Sequence, residues 1–466
     1  MNIKLNVKEK LMFYAKKRAV KSMLKLIPKL SDSNINRLGS LLYTIAPKDH
    51  KPKVKAIKQM FAEQHPGAML VKRILKNLTP TYREKIGTNL IANGFLLNDY
   101  KRNEALKKGE KVPFTLLISP TMRCNLRCVG CYAFNYDRKD DLPVEVFDRI
   151  VQEAKDIGVA FFTILGGEPF VYEGLYDMLK KHNDAFFQIF TNGFMITDRW
   201  IERFKELGNV LPILSIEGYE KHTDERRGKG TYQKLMQVMD SLRENKIPFG
   251  FSAAVTRKNE PVICSDEFID MMIAKGAYVG WFFLYMPVGK DPDISLMPTP
   301  KQRKHLYDSV RHIRKTKSLF VIDFWNDAPY VGGCIAGNEY AHITSTGDVE
   351  PCIFTHFAVD NIKNKSLRQV FNSDYFKELR KRQPFNDNLF LPCQWIDNPE
   401  VGREMAEKFK LRTTHDGADD MIKNPKIRKG LDKYSKEVEE LYKDVWKQHC
   451  TCGGFIHDNV KNKIKT

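Results

Sequence analysis

The sequence predicts an α/β protein: a partial (β/α)6 TIM-like barrel, with a basic helical N-terminal region and a small α+β cysteine-containing C-terminal domain. Three observations predict it. Apolar strand-like runs alternate with amphipathic helical patterns six times between about residues 112 and 316, which implies parallel pairing through right-handed crossovers. Cys124, Cys128 and Cys131 directly follow the first of those runs. Cys334, Cys352 and Cys393 then appear among turn residues where the repeat has ended.

Residues 1–110 read as helical. Val20, Met23, Leu24 and Ile27 fall at i, i+3, i+4 and i+7, and Lys17, Lys21 and Lys25 line another face before Pro28 stops the pattern. Further helical stretches are expected over Asn34 to Ile45, Pro52 to Gln64 and Pro66 to Leu78. This region holds 24 Lys plus Arg against 8 Asp plus Glu, a surplus of 16 out of the chain's net +19. Any partner chosen by charge belongs to it.

Strands are expected near 113–119, 160–165, 185–191, 210–216, 247–255 and 278–286, with helices near 143–157, 173–182, 197–207, 231–245, 263–275 and 299–315. The domain reading is 1–110 basic and helical, 111–316 barrel, 317–400 cysteine-containing domain, and 401–466 helical tail. In β/α barrels the site lies at the carboxyl ends of the strands. The first cysteine loop follows the first strand, so it sits at that end.

The chain has 466 residues, enough for two to three domains. No apolar run reaches membrane-span length, and the longest, Tyr278 to Val288, reads as a strand. The N-terminus lacks the pattern of a signal peptide. Nine cysteines without export signals argue for metal ligation or redox chemistry in a reducing, cytoplasmic compartment rather than for disulfides.

Three thiolates in the loop Cys124 to Cys131 can hold three corners of a [4Fe–4S] cube and leave one iron open. Taken alone, the triplet leaves a structural zinc loop as a competitor, although zinc sites usually show CxxC pairs with two distant partners. Gly166-Gly167-Glu168-Pro169 ends the second strand. Two glycines allow close backbone approach to a ligand, and the glutamate offers an acceptor to an ammonium group. Thr191-Asn192-Gly193 ends the third strand, Leu214-Ser215-Ile216-Glu217-Gly218 the fourth, and Met286-Pro287-Val288-Gly289 the sixth.

The spacing CxxxCxxC, followed by this GGEP, resembles the radical S-adenosylmethionine (SAM) superfamily. The resemblance implies a cluster on Cys124, Cys128 and Cys131 whose open iron binds SAM, and one-electron cleavage of SAM to methionine and a 5′-deoxyadenosyl radical. It implies SAM contacts from Gly166, Gly167, Glu168, Asn192, Ser215 and Arg227, the last through the planar fork that suits a carboxylate. Arg226 lies beside Arg227 and competes for that role. Met286 to Gly289 resembles the segment that closes the adenine pocket. The residue before the third cysteine, usually aromatic in the family, is Gly130 here.

Cys334 and then Gly347 to Cys352 resemble the opening of the SPASM extension, which carries auxiliary clusters. The full CxxCxxxxxCxxxC block is missing, so a shortened version with one second cluster on Cys334, Cys352 and Cys393 is expected. Its fourth ligand is Cys450, Cys452, a non-cysteine group or an open site. Zinc and free buried thiols compete with this reading. Cys264 receives no role.

The expected partners are an unidentified substrate and an external electron donor such as flavodoxin or ferredoxin. The lysine-rich N-terminal helix, with Phe13, Val20, Leu24 and Ile27 opposite, suits an anionic membrane face, and a lipid or membrane-associated substrate follows from that. Packing of the same stripe on the barrel is weighed equally. The alternatives are a peptide- or protein-modifying maturase, an RNA-modifying enzyme, for which no RNA-binding signature stands in the sequence, and a non-catalytic metal-binding scaffold.

Overall fold

The computed structural model describes residue 43 and residues 51–451. The helix expected over Val20 to Ile27 and nearly all of that over Asn34 to Ile45 lie outside them, as does Cys452.

One nine-stranded sheet organises the chain, in the order β7-β6-β5-β4-β3-β2-β1-β8-β9. The strands are β1 (Thr115–Ile118), β2 (Phe161–Ile164), β3 (Phe186–Thr191), β4 (Val210–Ser215), β5 (Gly250–Val255), β6 (Val279–Leu284), β7 (Phe320–Asp323), β8 (His342–Ile343) and β9 (Val349–Glu350). The six expected strands are all present and pair in parallel. The parallel ladder also continues past residue 316: β7 adds to β6, β8 adds parallel to the other side of β1, and β9 returns antiparallel. A second small ladder pairs β10 (Phe357–Ala358) with β11 (Arg412–Thr413).

The sheet curls. Phe190 of β3 meets Trp281 and Phe283 of β6 at centroid distances of 6.1 and 5.8 Å, although two strands lie between them in the sheet. Along β6 the even residues are buried outward and the odd ones are half-buried. The half-buried row therefore lines the lumen, as strand periodicity requires.

The crossover helices follow from apolar spacing and capping. Val144–Ile157 buries Phe147, Ile150, Val151 and Ala154, and Gly158 ends it at φ 108°. Each large side chain so buried contributes roughly 1.5–3 kcal/mol, and Phe147→Ala would cost about 3–5 kcal/mol. Pro300–Thr316 opens on a capping box between Thr299 and Gln302.

The described part of the basic region closes the amino end of the barrel, opposite the cysteine loop. Arg73 donates to the carbonyls of Ser318, Ile273 and Ala277 at 2.6, 3.3 and 3.2 Å and lies over the Tyr278 ring. Asn89 donates to the carbonyls of Asn183 and Ala185 just before β3. Among the described residues no helix is long and apolar enough to cross a membrane.

The last helix, Pro425–Thr451, buries Leu431, Tyr434, Val438 and Tyr442. The Tyr442 hydroxyl donates to Asn326 at 2.9 Å, and its backbone carbonyl accepts from Asn388. This helix braces the loop that carries Cys393.

Candidate functional site

The cysteine loop lies directly on the turn after β2. The Gly167 N–H donates to the Thr121 carbonyl at 3.0 Å, and the Glu168 N–H to the Arg123 carbonyl at 2.8 Å. A Cβ on Gly166 would stand 2.4 Å from the Thr121 oxygen, and one on Gly167 would stand 2.2 Å from the Arg123 oxygen. The two glycines thus permit contact between two stretches of backbone. Their close neighbour is the cysteine loop itself.

Glu168 is fully buried. Its Oε1 accepts from the Phe170 N–H and the Thr191 hydroxyl, and its Oε2 accepts from the Asn192 N–H at 2.8 Å. Burial raises its pKa to about 7 against these hydrogen bonds. Oε2 accepts one hydrogen bond and has lone-pair capacity for a second. The Asn192 amide turns toward the cysteine loop: its Nδ2 donates to Asn125 Oδ1 at 2.8 Å and reaches Cys124 Sγ at 3.7 Å. Ser215 Oγ lies half-buried in the lumen, 3.5 Å from Ser252 Oγ.

Arg226 and Arg227 share one buried carboxylate, Glu217. Arg227 donates to Glu217 Oε1 at 2.9 Å from Nε and 2.6 Å from Nη2, and Arg226 donates to the same oxygen. Oε2 accepts from the Ala254 N–H. Burial pushes the Glu217 pKa up, but the two guanidiniums outweigh it and hold it below the usual carboxylate range. The pair reaches the cysteines, since the Val129 N–H donates to the Arg226 carbonyl at 2.9 Å. Glu217 belongs to the Leu214–Gly218 segment that ends β4. Its partners stand nine and ten residues on, and only the fold brings them together.

Gly130 is explained by a neighbour from another strand. Its φ is +61°, and a Cβ there would stand 2.6 Å from the Tyr285 ring, which follows β6. Tyr285 fills the space beside Cys131 that a larger residue 130 would occupy. Gly289 presses against the same loop, with Lys290 donating to the Cys131 carbonyl at 3.0 Å.

The second trio, Cys334, Cys352 and Cys393, lines one cavity of about 170 Å³ together with Trp281, Phe324, Trp325, Phe354 and Tyr340. Cys352 Sγ accepts from the Tyr340 hydroxyl at 3.0 Å, and Cys393 Sγ from the Trp395 N–H at 3.4 Å. Asp397 accepts from the Cys393 N–H and forms a fully buried ion pair with Arg303. No fourth cysteine lines the cavity among the described residues. Cys450 is exposed near the end of the last helix.

Burial raises the Cys124 and Cys352 thiols to about 11 and Cys393 to about 12. A bound cation reverses that preference and holds thiolates. A zinc tetrahedron with sulfurs at about 2.3 Å puts them about 3.8 Å apart. Among the described residues only Glu260, Cys264 and His305 bring three ligand atoms within 4.8 Å of one another. Neither cysteine trio meets that spacing. Glu260 and His305 hydrogen-bond each other at 2.6 Å, closer than the roughly 3.3 Å between two such ligands of one zinc. They satisfy one another.

A buried polar chain joins the two trios' surroundings. The Tyr136 and Thr414 hydroxyls donate to Glu350 Oε1 at 2.7 and 2.6 Å, Glu350 Oε2 lies 2.6 Å from His342 Nδ1, and His342 Nε2 lies 2.7 Å from Ser119 Oγ. Tyr132, next to Cys131, meets Phe354 edge-on at 6.0 Å, and the Phe354 N–H points at Cys352 Sγ. No spacing in the sequence signals this chain.

Comparison with known proteins agrees with this geometry. Residues 118–261 match the Radical SAM superfamily, and residues 334–394 match SPASM, an iron–sulfur cluster-binding domain. The chain is 22% identical to an AdoMet-dependent heme synthase of Methanosarcina barkeri, over 56% of this chain and 82% of that one. It is 30% identical to the uncharacterized protein MJ0907 of Methanocaldococcus jannaschii, over 42% and 70%. It is 25% identical to a PqqA peptide cyclase of Rhizobium meliloti, over 58% and 76%. The crystal structure of Streptococcus suis SuiB bound to S-adenosylmethionine shares the fold, with a TM-score of 0.53, 24% identity and coverage of 61% of this chain and 72% of that one.

Proposed function

We propose that this chain, which belongs to the radical SAM superfamily and carries its SPASM iron–sulfur extension, is a peptide-modifying enzyme. It uses a [4Fe–4S] cluster, SAM and an auxiliary cluster. Cys124, Cys128 and Cys131 hold the first cluster, and Cys334, Cys352 and Cys393 the second. The bound cluster supplies the electron that splits SAM into methionine and a 5′-deoxyadenosyl radical. Glu168 would hold the ammonium group of SAM, and Arg227, held by Glu217, would supply positive charge to its carboxylate. Asn192 steadies the cysteine loop, and Ser215 stands in the lumen below.

One observation carries this reading: the surroundings of the two trios touch, since Tyr132, next to Cys131, packs on Phe354 at 6.0 Å, and the Phe354 N–H points at Cys352 Sγ. The barrel interior beside the second trio is aromatic, with Phe190, Trp281, Phe283 and Phe324 in contact and Trp281 and Phe324 lining the cavity. Such a wall excludes water from a reactive carbon radical and suits an apolar side chain of a peptide. The likeness to the PqqA peptide cyclase supports a peptide substrate. The segment behind the lipid reading lies outside the described residues, and nothing in the described fold supports a lipid substrate or a membrane contact. An external reductant remains part of the proposal.

The test is anaerobic reconstitution with iron and sulfide, then dithionite and SAM, with 5′-deoxyadenosine as readout. Alanine at Cys124, Cys128 and Cys131 should abolish its release; persistence removes the first assignment. The peptide reading is tested on short peptides encoded beside the gene, by a mass change that needs SAM. Turnover of a tetrapyrrole with no peptide modified would replace it with the chemistry named for the heme synthase relative.

A further inference from the structure

We infer that Tyr340 sets the reduction potential of the auxiliary cluster by donating a hydrogen bond from its hydroxyl to the Cys352 thiolate. This rests on reading Cys334, Cys352 and Cys393 as ligands of one cluster.

The geometry is specific. Tyr340 is buried, at 3% exposure, and lines the three-cysteine cavity. Its hydroxyl lies 3.0 Å from Cys352 Sγ, within hydrogen-bond reach of the sulfur. The side chain is fixed at both ends. Its backbone pairs with Ala336 in a bridge and its carbonyl accepts from the Gly337 N–H at 2.9 Å. Its ring packs on Phe324 at 6.2 Å, interplanar angle 65°. The hydroxyl is therefore aimed by the fold and does not swing in from solvent.

The same distance separates two roles. Ligands on different irons of a cube point away from each other and stand well beyond hydrogen-bond reach. A hydroxyl 3.0 Å from Cys352 Sγ is thus a donor to that sulfur, not the fourth corner. Of the other polar side chains in the cavity wall, Gln394 and Trp395 both donate to Thr355 Oγ1, at 3.3 and 2.8 Å, and Asp327 holds Arg314; no hydrogen bond from any of them to Cys352 Sγ is seen among the described residues. The hydrogen bond that Cys393 receives comes from the backbone of Trp395, where no side-chain change removes it. Tyr340 supplies the bond that one substitution can delete.

The physical consequence has a fixed sign. A donor to a thiolate draws electron density from the cluster and favours the more negative, reduced state. Replacing it with a ring that lacks the hydroxyl makes one-electron reduction harder.

The experiment is a potentiometric titration of Tyr340→Phe with dithionite as reductant, followed by electron paramagnetic resonance. It is run in the chain with Cys124, Cys128 and Cys131 replaced by alanine, which leaves the auxiliary cluster alone, and repeated in the chain with all cysteines intact. The expected result is unchanged iron per chain and a reduction equilibrium about tenfold less favourable, about 59 mV lower for one electron. Tyr442→Phe, which deletes a buried hydroxyl bonded to Asn326, should leave the potential in place. An unmoved potential in Tyr340→Phe overturns the inference. So does loss of one iron with a three-iron signal, because Tyr340 would then be a ligand. Absence of iron from the triple-alanine chain would instead remove the cluster reading itself, and the inference with it.

Discussion

Arg227 lays two of its nitrogens, at 2.9 and 2.6 Å, on a single oxygen of Glu217, the oxygen that Arg226 also uses. Three charged groups thus meet inside the barrel mouth, next to the first cysteine loop. Removing one partner from a buried ion pair leaves charge uncompensated and costs about 3–5 kcal/mol. Glu217→Gln should lower stability by that order and release both guanidiniums, with a matching fall in 5′-deoxyadenosine formation. Urea denaturation checks the first effect. A change below about 0.5 kcal/mol would mean that the arginines find solvent instead.

Gly167 has no room for a methyl group: the Arg123 oxygen lies 2.2 Å from the Cβ position, and backbone cannot step aside as a flexible side chain can. Gly167→Ala should displace the cysteine loop. Iron bound at Cys124, Cys128 and Cys131 should fall by more than half while iron at the second trio stays. Iron counting with resonance spectra of each cluster separates the two. Equal loss at both sites would point to general unfolding.

Arg303 and Asp397 are fully buried, and Asp397 Oδ2 also accepts from the Cys393 N–H at 3.0 Å. Arg303→Met leaves that carboxylate without its cation and should cost about 3–5 kcal/mol. The auxiliary cluster should become the first to be lost on mild chelation. Timed iron release against the intact chain is the measurement, and identical release curves would refute the link.

Asp323 offers a dependence on pH. Burial, reinforced by the Asp327 carboxylate, raises its pKa to about 7, above the roughly 3.9 of an unfolded chain. A carboxyl so shifted binds its proton more tightly when folded. Its favourable contribution is complete below about pH 4 and is lost as pH rises through 7. Asp323→Asn should therefore reduce the loss of stability between pH 5.5 and 8.5, by a few kcal/mol at most. Anaerobic urea midpoints across that range test it, and parallel wild-type and variant profiles would show that Asp323 does not titrate there.

The six crossover units were legible because their strands are apolar runs and their helices carry caps and 3.6-residue spacing, as Val144–Ile157 does. β7 was missed because it lies at the sheet edge, opens on an exposed Phe320 and ends on Asp323, which breaks the apolar run. β8 and β9 have two residues each, too short for any periodicity. The cysteine loop and the GGEP turn were legible as motifs. What they touch was not: Tyr285 against Gly130, Glu217 under two arginines and Tyr340 on Cys352 are all contacts between segments remote in the chain or across a turn. Spacing records residues that act together within one loop, whereas residues brought together by the barrel leave no local trace.

β8 pairs with β1 at Leu117–His342 and Ile118–Ile343, and β1 runs straight into the first cysteine loop. The two metal-binding portions therefore share a spine, and the later one cannot be cut away as a detachable accessory. Deleting residues from 334 onward would leave the Thr115, Leu117 and Ser119 amides along β1 without their partners, and the shortened protein would be prone to clump before it could be assayed.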